Sequence, residues 1–275
     1  MLKQILFFSV IIFLFLSCKK DNTSATPYIT NPTSYVLKRQ TWSGPTTNGS
    51  SFSYSYNSDH LVSNIEEYQW TGISPNIAYD TARYSFEYTN GLCTKMVTSD
   101  GGANGYYIYE YNADKLPVKR TLYYSNGNVQ SYDFYEYDNS NNLIQVTDSS
   151  QQLNFRYEFT YNVNNNLVSV TNYILWSTPQ QKVKLEWSSF DNSINFIKSV
   201  NGLPPTFVWD NNFHAYSSSS PNNSMSEIYY VPVNIDQPFG SPNNDSYSYE
   251  YNEEGLPTVM HYGVWNVTFE YEKYR

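Results

Sequence analysis

The sequence predicts an all-β protein, an up-and-down antiparallel meander of repeated hairpins that forms a curled sheet or a barrel, with little or no helix. A tyrosine-rich phrase recurs along the chain, as YSYNSDHLVSNI at 54–65, YIYEYNADKLPVKR at 107–120, YEYDNSNNLIQV at 135–146 and YEYNEEGLPTVM at 249–260. Within each phrase apolar and polar residues alternate, which is typical of a strand with one buried face. No stretch combines a sustained helical apolar spacing with helix caps, so we expect very little helix.

The first half of each phrase predicts a strand with aromatic residues on one face and a glutamate on the other. The pattern aromatic-Glu-Tyr occupies 86–88, 109–111, 135–137, 249–251 and 269–271. Aromatic pairs across neighbouring strands stabilise a sheet by about 0.2–1 kcal/mol each. The aromatic ladder is therefore interpreted as structural, with a stacking platform for a sugar or another flat ligand as the functional alternative.

The second half of each phrase predicts a turn and a returning strand. Asn, Asp, Ser or Gly residues follow the second aromatic residue, and then a Leu opens a run rich in Val, Ile and Thr. Strands joined by short turns pair in chain order, so we expect a meander of about a dozen or more strands. Sheets of that size tend to curl, split or close.

The chain from 35 to 275 is predicted to be a single repeat-built β domain in which the repeat weakens once. The second aromatic residues align at Tyr56, Tyr88, Tyr111, Tyr137, Tyr161, Tyr251 and Tyr271, with Phe190 and Trp209 as weaker matches. Residues 217–246 are predicted to be an inserted loop that contains a short strand, SEIYYVPV. Long ordered loops are usually functional, and disorder is the alternative. We therefore select Trp209 and His214, at the base of this loop, as candidate ligand-binding residues.

The N-terminus predicts secretion and lipid attachment. A short cationic and then apolar segment at 1–17 is too short to span a bilayer and is typical of a signal peptide. Its end, LFLSC, resembles the lipobox of bacterial lipoproteins, which implies that Cys18 carries the lipid. An ordinary cleaved signal with Cys18 nearby by chance is the alternative. Residues 18–34 are polar and rich in Ser, Thr and Pro, which predicts a flexible tether.

The similarity to lipoproteins of Gram-negative cells also implies a destination. In that class, Lys rather than Asp after the lipidated cysteine directs the protein to the outer membrane, and Lys19 occupies this position. We therefore expect a lipid-anchored protein of the outer membrane, with the side it faces left open.

Composition and motifs argue against several functions. The formal net charge is −9 and there is no basic cluster, so a nucleic-acid partner is not expected. Three histidines and no HExxH, GxSxG or CxxC pattern predict no metal site, no cofactor and no catalytic residue. Cys93 is interpreted as small core filler. The repeated glutamates could form acid/base or Ca²⁺ sites, but a solvent-facing row that keeps the sheet soluble is the preferred interpretation; they are Glu87, Glu110, Glu136, Glu250 and Glu270.

The phrase YEYNADKLPVKR and its copies resemble the tyrosine-aspartate (YD) repeats of bacterial Rhs-type proteins. Tyr109, Tyr111, Asn112 and Leu116 follow the order of that motif, but the Arg before the Leu is missing. The chain from about 35 to 275 is also similar to uncharacterised outer-membrane-type lipoproteins, grouped as a domain of unknown function with a porin-like β-fold. This resemblance implies a fold and no catalytic residue.

The function predicted from the sequence is that of a non-enzymatic, lipid-anchored envelope protein. It would meet the membrane through its N-terminal lipid and bind a glycan or an outer-membrane protein. The alternatives are a purely structural envelope protein and, less favoured, a glycan-active hydrolase with two carboxyl groups about 5–10 Å apart. A barrel embedded in the membrane would need an outward apolar band, which the polar strands do not predict.

Overall fold

The computed structural model describes residues 35–44, 48–73, 76–100, 103–150, 154–195, 200, 202–203, 220 and 222–273. Eighteen β-strands and no helix occur among them. The strands are β1 Tyr35–Ser43, β2 Gly49–Tyr56, β3 Val62–Ile73, β4 Asn76–Thr89, β5 Leu92–Asp100, β6 Ala103–Tyr111, β7 Pro117–Tyr124, β8 Val129–Tyr137, β9 Leu143–Ser150, β10 Asn154–Tyr161, β11 Leu167–Ile174, β12 Gln181–Glu186, β13 Phe190–Ile194, β14 Asn222–Ser224, β15 Ser226–Asn234, β16 Pro242–Tyr251, β17 Pro257–Tyr262 and β18 Trp265–Lys273.

Sixteen of these strands form one closed barrel. From β1 to β12 each strand pairs antiparallel with the next, β12 pairs with β15, and the order continues to β18, which pairs with β1. Strands β13 and β14 form a separate two-stranded sheet. The predicted all-β antiparallel meander is thus confirmed, and of the two predicted forms the chain adopts the barrel.

The repeat phrase forms a hairpin turn with a fixed hydrogen-bond pattern. In the turn after β6, the Asn112 N–H donates to the Leu116 carbonyl at 2.9 Å, and the Lys115 N–H donates to the Asn112 carbonyl at 3.1 Å. The Asn112 side-chain oxygen accepts the Leu116 N–H at 2.9 Å. Lys115 has a positive φ of 63°, as the last turn residue of such a hairpin requires. The Asn or Asp of the phrase therefore shapes the turn directly.

Exchanging the last turn residue should change stability in opposite directions at two equivalent turns. Lys115→Gly should raise the free energy of unfolding by about 0.5–1 kcal/mol, because glycine adopts positive φ without the steric cost of a Cβ. Gly255→Lys, at the same position with a φ of 76°, should lower it by a similar amount. Urea unfolding measures both changes. Equal effects of the same sign would show that backbone conformation does not govern these turns.

In five copies of the phrase, the second tyrosine joins its hairpin to the strand beside it by a hydrogen bond. Its hydroxyl donates to a backbone carbonyl near the start of a neighbouring strand. These bonds join Tyr56 to Leu37, Tyr88 to Val62 and Tyr111 to Cys93 at 2.6 Å each, Tyr137 to Pro117 at 2.8 Å, and Tyr271 to Pro257 at 2.9 Å. A buried hydroxyl usually needs such a partner, which accounts for tyrosine rather than phenylalanine at this position.

The weak part of the repeat differs from the sequence alignment. Trp187, directly after β12, occupies the position expected for a second aromatic residue, whereas Phe190 lies in β13, outside the barrel wall. Within 217–246, predicted as an inserted loop, the predicted short strand SEIYYVPV is present as β15, and β14 and the start of β16 are strands that were not predicted. β15 lies in the wall between β12 and β16, because its backbone pairs on both sides. The tether at 18–34 and the signal peptide at 1–17 lie outside the described residues.

Candidate functional site

The repeated phrase places aromatic rings on the inner face of the barrel wall and glutamates on its outer face. Buried rings occupy the first aromatic position of the phrase on successive hairpins, at exposures of 4–7%: Tyr54, Phe86, Tyr109, Tyr135, Phe159 and Phe269. The glutamates that follow them in sequence point the other way, and the Glu87 and Glu110 side chains are 60% and 55% exposed. The interior of the barrel, here called the lumen, is therefore the candidate binding site.

The outer glutamates pair with side chains on the next strand. Glu87 meets Lys95 and Glu110 meets Lys119 at 2.7 Å each, Glu136 accepts from Gln145 at 3.0 Å, Glu250 meets His261 at 2.9 Å, and Glu270 lies 3.9 Å from Arg39. Exposed pairs of this kind contribute little stability. The row thus has the arrangement expected of a solvent-facing surface.

A wide arc of the outer wall, on β1, β2, β16 and β18, carries small polar side chains. They are Thr41, Ser51, Ser53, Ser55, Ser246, Ser248, Asn266 and Thr268. A barrel that spans a bilayer needs an outward apolar band about 25 Å tall. This arc is suited to water rather than to hydrocarbon.

The end of the lumen beside the repeat turns, here called the repeat-turn end, has an apolar lining. Two clusters of buried side chains cover the two sides of the barrel there, one around Leu37, Ile65 and Val267 and one around Leu167 and Val170. Cys93 belongs to the first cluster and is fully buried. Burial raises the pKa of its thiol to about 12, so it stays protonated and acts as a small apolar side chain.

Described residues between β12 and β15 contact opposite sides of the lumen at the repeat-turn end. On one side, the Ser220 hydroxyl accepts the Leu167 N–H at 2.9 Å, and the Asn222 N–H donates to the Asn166 side chain at 3.3 Å. On the opposite side, the Gly202 carbonyl lies 3.4 Å from the Tyr88 hydroxyl. β11 and β4 are far apart in the order of the barrel, so these contacts bridge facing walls.

Further contacts hold the described residues between β12 and β15 to β16. The Tyr249 hydroxyl donates to the Ser224 carbonyl at 3.0 Å, and the Tyr251 hydroxyl donates to the Asp191 carboxylate. Asp191 also accepts from the Asn223 side chain at 3.0 Å. Together with Val200 and Leu203, which are buried in the first apolar cluster, these groups cover the repeat-turn end. The opposite end of the barrel, which carries the other hairpin connections, is here called the far end.

A buried ion pair lies on the lumenal face of β7 and β8. Arg120 and Asp133 are cross-strand partners, and the guanidinium contacts the Asp133 carboxylate at 2.5 Å. The Arg120 guanidinium also lies over the Tyr107 ring, 4.6 Å from its centroid. The two side chains are only 18% and 8% exposed. A buried pair of this kind fixes the positions of the polar and aromatic groups around it.

Carboxylates lie beside aromatic rings elsewhere on the lumenal wall. The Trp187 indole N–H donates to Glu227 at 3.2 Å, the Tyr262 hydroxyl donates to Asp245 at 3.1 Å, and the Tyr84 hydroxyl donates to Glu67 at 3.3 Å. Burial, and then the hydrogen bond to Asp245, raise the pKa of Tyr262 to about 12. The hydroxyl is therefore a stable donor at neutral pH.

Several lumenal rings are only partly covered by protein. Tyr84, Tyr107, Tyr157 and Tyr262 are half-buried, and Asp245 is exposed. Barrels of sixteen strands are too wide for inward side chains to fill, so their interior keeps open space. Ring faces next to carboxylates and amides are the groups with which proteins bind amphipathic ligands such as sugars. The wall between the apolar base and the far end can therefore hold a ligand of this type.

Sequence reasoning and structure select different residues. Cys18, Trp209 and His214 lie outside the described residues, so their roles stay predictions. Tyr107, Arg120, Asp133 and Glu227 were not singled out from the sequence. Arg120 is the cross-strand partner of Tyr109 on β6 and β7. A register shift between Glu110 and Tyr111 means that counting alternate residues along the sequence does not predict this pairing. In the part of the chain that the structure describes, no group of three His, Cys, Asp or Glu residues is arranged to hold a metal ion.

The comparisons with known proteins support the fold alone. A porin-like protein from Bacteroides uniformis ATCC 8492 is 14% identical, with a TM-score of 0.57 over 88% of this chain and 99% of that one. A porin-like protein from Bacteroides vulgatus ATCC 8482 is 10% identical, with a TM-score of 0.39 over 86% and 98%. No model of a known protein family matches the chain, and no curated protein matches its sequence. Across the described residues, no helix has the length and apolar character needed to cross a membrane.

Proposed function

We propose that this chain is a non-enzymatic, lipid-anchored protein of the outer membrane that binds a glycan inside its barrel. The half-buried lumenal rings beside carboxylates are the observation that carries this proposal. A sugar offers apolar C–H faces for stacking and hydroxyl groups for hydrogen bonds, and the wall supplies partners for both. The lipobox at Cys18 and the fold shared with porin-like proteins support the location.

The charge of the lumenal wall narrows the class of glycan. Glu67, Asp148, Glu227 and Asp245 face the lumen, and Arg120 is paired with Asp133. An anionic sugar placed beside these carboxylates would bring like charges together without a cation between them, which is unfavourable. The glycan is therefore neutral or amino-bearing rather than sulfated or rich in uronic acid.

Two neighbouring tyrosines on β6 provide a matched test. Tyr107 faces the lumen, whereas Tyr106 faces outward and stacks on Tyr123 with ring centroids 4.9 Å apart. After a ligand is found by screening neutral and anionic glycans, Tyr107→Ala should weaken its binding about tenfold or more, which is about 1.4 kcal/mol. Tyr106→Ala should leave the affinity unchanged. Calorimetric titration measures both, and thermal unfolding checks that both variants fold.

The outcomes separate the alternatives. Equal affinity of the parent and of Tyr107→Ala would contradict lumenal binding, and no binding by any glycan would favour a purely structural envelope protein. Cleavage of a bound glycan would favour the hydrolase. Trp209 and His214 remain proposed ligand-binding residues. If fluorescence titration of Trp209→Ala gives the parent affinity, that role is removed while lumenal binding still stands.

A further inference from the structure

Four of the most exposed apolar side chains among the described residues lie at the far end of the barrel. Tyr79 is 60% exposed, Tyr124 49%, Trp176 53% and Val264 67%. Each lies in or close to a hairpin connection at this end: Tyr79 near the start of β4, Tyr124 at the end of β7, Trp176 between β11 and β12, and Val264 between β17 and β18. These four residues are called the far rim. Single exposed apolar residues are ordinary, but a set gathered at one end indicates a contact surface.

The far rim extends around the whole circumference. In the closed order of the sixteen strands, its four members are separated from one another by several strands each. A small partner bound at one side of the barrel would cover one or two of them. Only a flat and extended apolar surface meets all four at once.

Aromatic rings continue the far rim on the outer wall. Tyr106 stacks on Tyr123, Tyr132 lies beside Phe134 with centroids 6.3 Å apart, and Tyr68 lies 6.0 Å from Trp70. Tyr and Trp combine an apolar ring with a polar tip and accumulate where a membrane meets water. These pairs therefore extend the surface suited to a membrane–water interface over the part of the wall next to the far end.

The repeat-turn end has the opposite character. Its turns carry polar and acidic side chains, among them Asp59, Asp114, Glu253 and Glu254, and all four are exposed. Among the described residues there, Val163 and Tyr251 are the exposed large apolar ones. Carboxylates are costly to desolvate and are repelled by anionic lipid headgroups. The two ends therefore differ in the surface that each can meet.

We propose that the far rim rests on a lipid bilayer, so that the far end of the barrel faces the lipid headgroups. β1 begins at the repeat-turn end, and the stretch 19–34 before it reaches at most about 55 Å when extended. A nine-residue strand rises only about 30 Å. A lipid on Cys18 thus allows this orientation. The proposal goes beyond glycan binding and does not depend on it.

Two exposed valines at opposite ends provide a matched pair of probe positions. In Val264→Cys and Val163→Cys, the new thiol is labelled with an environment-sensitive dye, while Cys93 stays buried and Cys18 is blocked by its lipid. The full lipidated chain is placed on vesicles of phosphatidylcholine and phosphatidylglycerol, with and without a spin-labelled lipid. The dye at position 264 should lose about half or more of its emission, because interfacial side chains lie about 5–10 Å within the headgroup region. The dye at position 163 should be unaffected.

The controls distinguish a failed anchor from a failed orientation. Mass spectrometry of the N-terminal peptide establishes whether Cys18 is lipidated, and flotation establishes whether the chain is on the vesicles. On anchored chains, equal quenching at both positions, stronger quenching at 163, or no quenching at either position would overturn the proposal. Trp176→Ser with Tyr124→Ser should reduce the quenching at 264 by about twofold or more, since it removes two members of the far rim. Unchanged quenching would contradict the role of these side chains.

Discussion

Replacing Trp187 with alanine should lower the free energy of unfolding by about 3–5 kcal/mol, one of the two largest effects expected in this protein. Trp187 is 2% exposed and packs in the second apolar cluster with Phe159, Leu167 and Leu185. The substitution leaves a cavity and also removes the indole N–H that donates to Glu227. Urea unfolding followed by circular dichroism measures the change.

Trp176 offers the matched control for this substitution. It is the same residue type, but it is 53% exposed in the connection between β11 and β12. Trp176→Ala should change the free energy of unfolding by about 0.5 kcal/mol or less, as is usual for surface positions. Similar losses for both variants would contradict the packing described for Trp187.

Breaking the Arg120–Asp133 pair should be almost as damaging. In Asp133→Asn the guanidinium stays buried without its carboxylate, which should lower the free energy of unfolding by about 3–5 kcal/mol. The exposed pair of Glu87 and Lys95 gives the comparison, and Glu87→Gln should cost about 1 kcal/mol or less. Denaturant midpoints of the two variants measure the difference.

A double variant separates the cost of an unpaired charge from the value of the pair itself. Arg120→Met with Asp133→Leu removes both charges and keeps similar volumes, so much of the loss in Asp133→Asn should be recovered. If the double variant is less stable than Asp133→Asn, the buried pair stabilises the barrel by more than its desolvation costs. An unpaired buried guanidinium would then not be the cause of the loss in Asp133→Asn.

The repeated phrase contains most of the information about local structure. Alternation before Tyr111 predicts the strand, and Asn112 predicts the turn, because both signals act over a few residues. The hydroxyl bond from Tyr111 to the Cys93 carbonyl explains why the phrase keeps a tyrosine, but it joins two strands and is not visible in one phrase. Local patterns therefore predict the hairpins, whereas the barrel wall depends on pairing between strands, which these patterns do not show.

Closure and strand number depend on contacts between distant residues. β1 pairs with β18 across more than 200 residues, and no local pattern specifies that pairing. β15 is the predicted short strand SEIYYVPV, but its place in the wall was not predicted, because its run from Ser226 to Asn234 lacks the aromatic-Glu-Tyr pattern although it pairs on both sides. Between β12 and β15 the chain leaves the barrel wall to form the separate sheet of β13 and β14, and this interrupts the repeat in the sequence.

The candidate site was the least predictable feature. Arg120 and Asp133 are ordinary charged residues in the sequence, and only the register between β7 and β8 brings them together inside the barrel. Register shifts within the hairpins, such as the one between Leu122 and Tyr123, change which face a residue occupies. Reasoning from the sequence instead selected Trp209 and His214, because loops often carry function. Lumenal residues become candidates only once the inside of the barrel is known.

Closure of the barrel, by pairing of β1 with β18, is the claim that defines the lumen. A disulfide between these two strands tests it most directly. Thr41 on β1 and Thr268 on β18 are cross-strand partners on the outer face. Opposite residues of paired strands lie about 4.5–5.5 Å apart between Cα atoms, within the range for a disulfide. With Thr41→Cys and Thr268→Cys in one chain, fragments cut by a protease between β12 and β15 should stay joined until reduced. Thr41→Cys with Ser248→Cys, on β16, should not cross-link. Fragments that separate without reductant in the first variant would contradict the closed barrel.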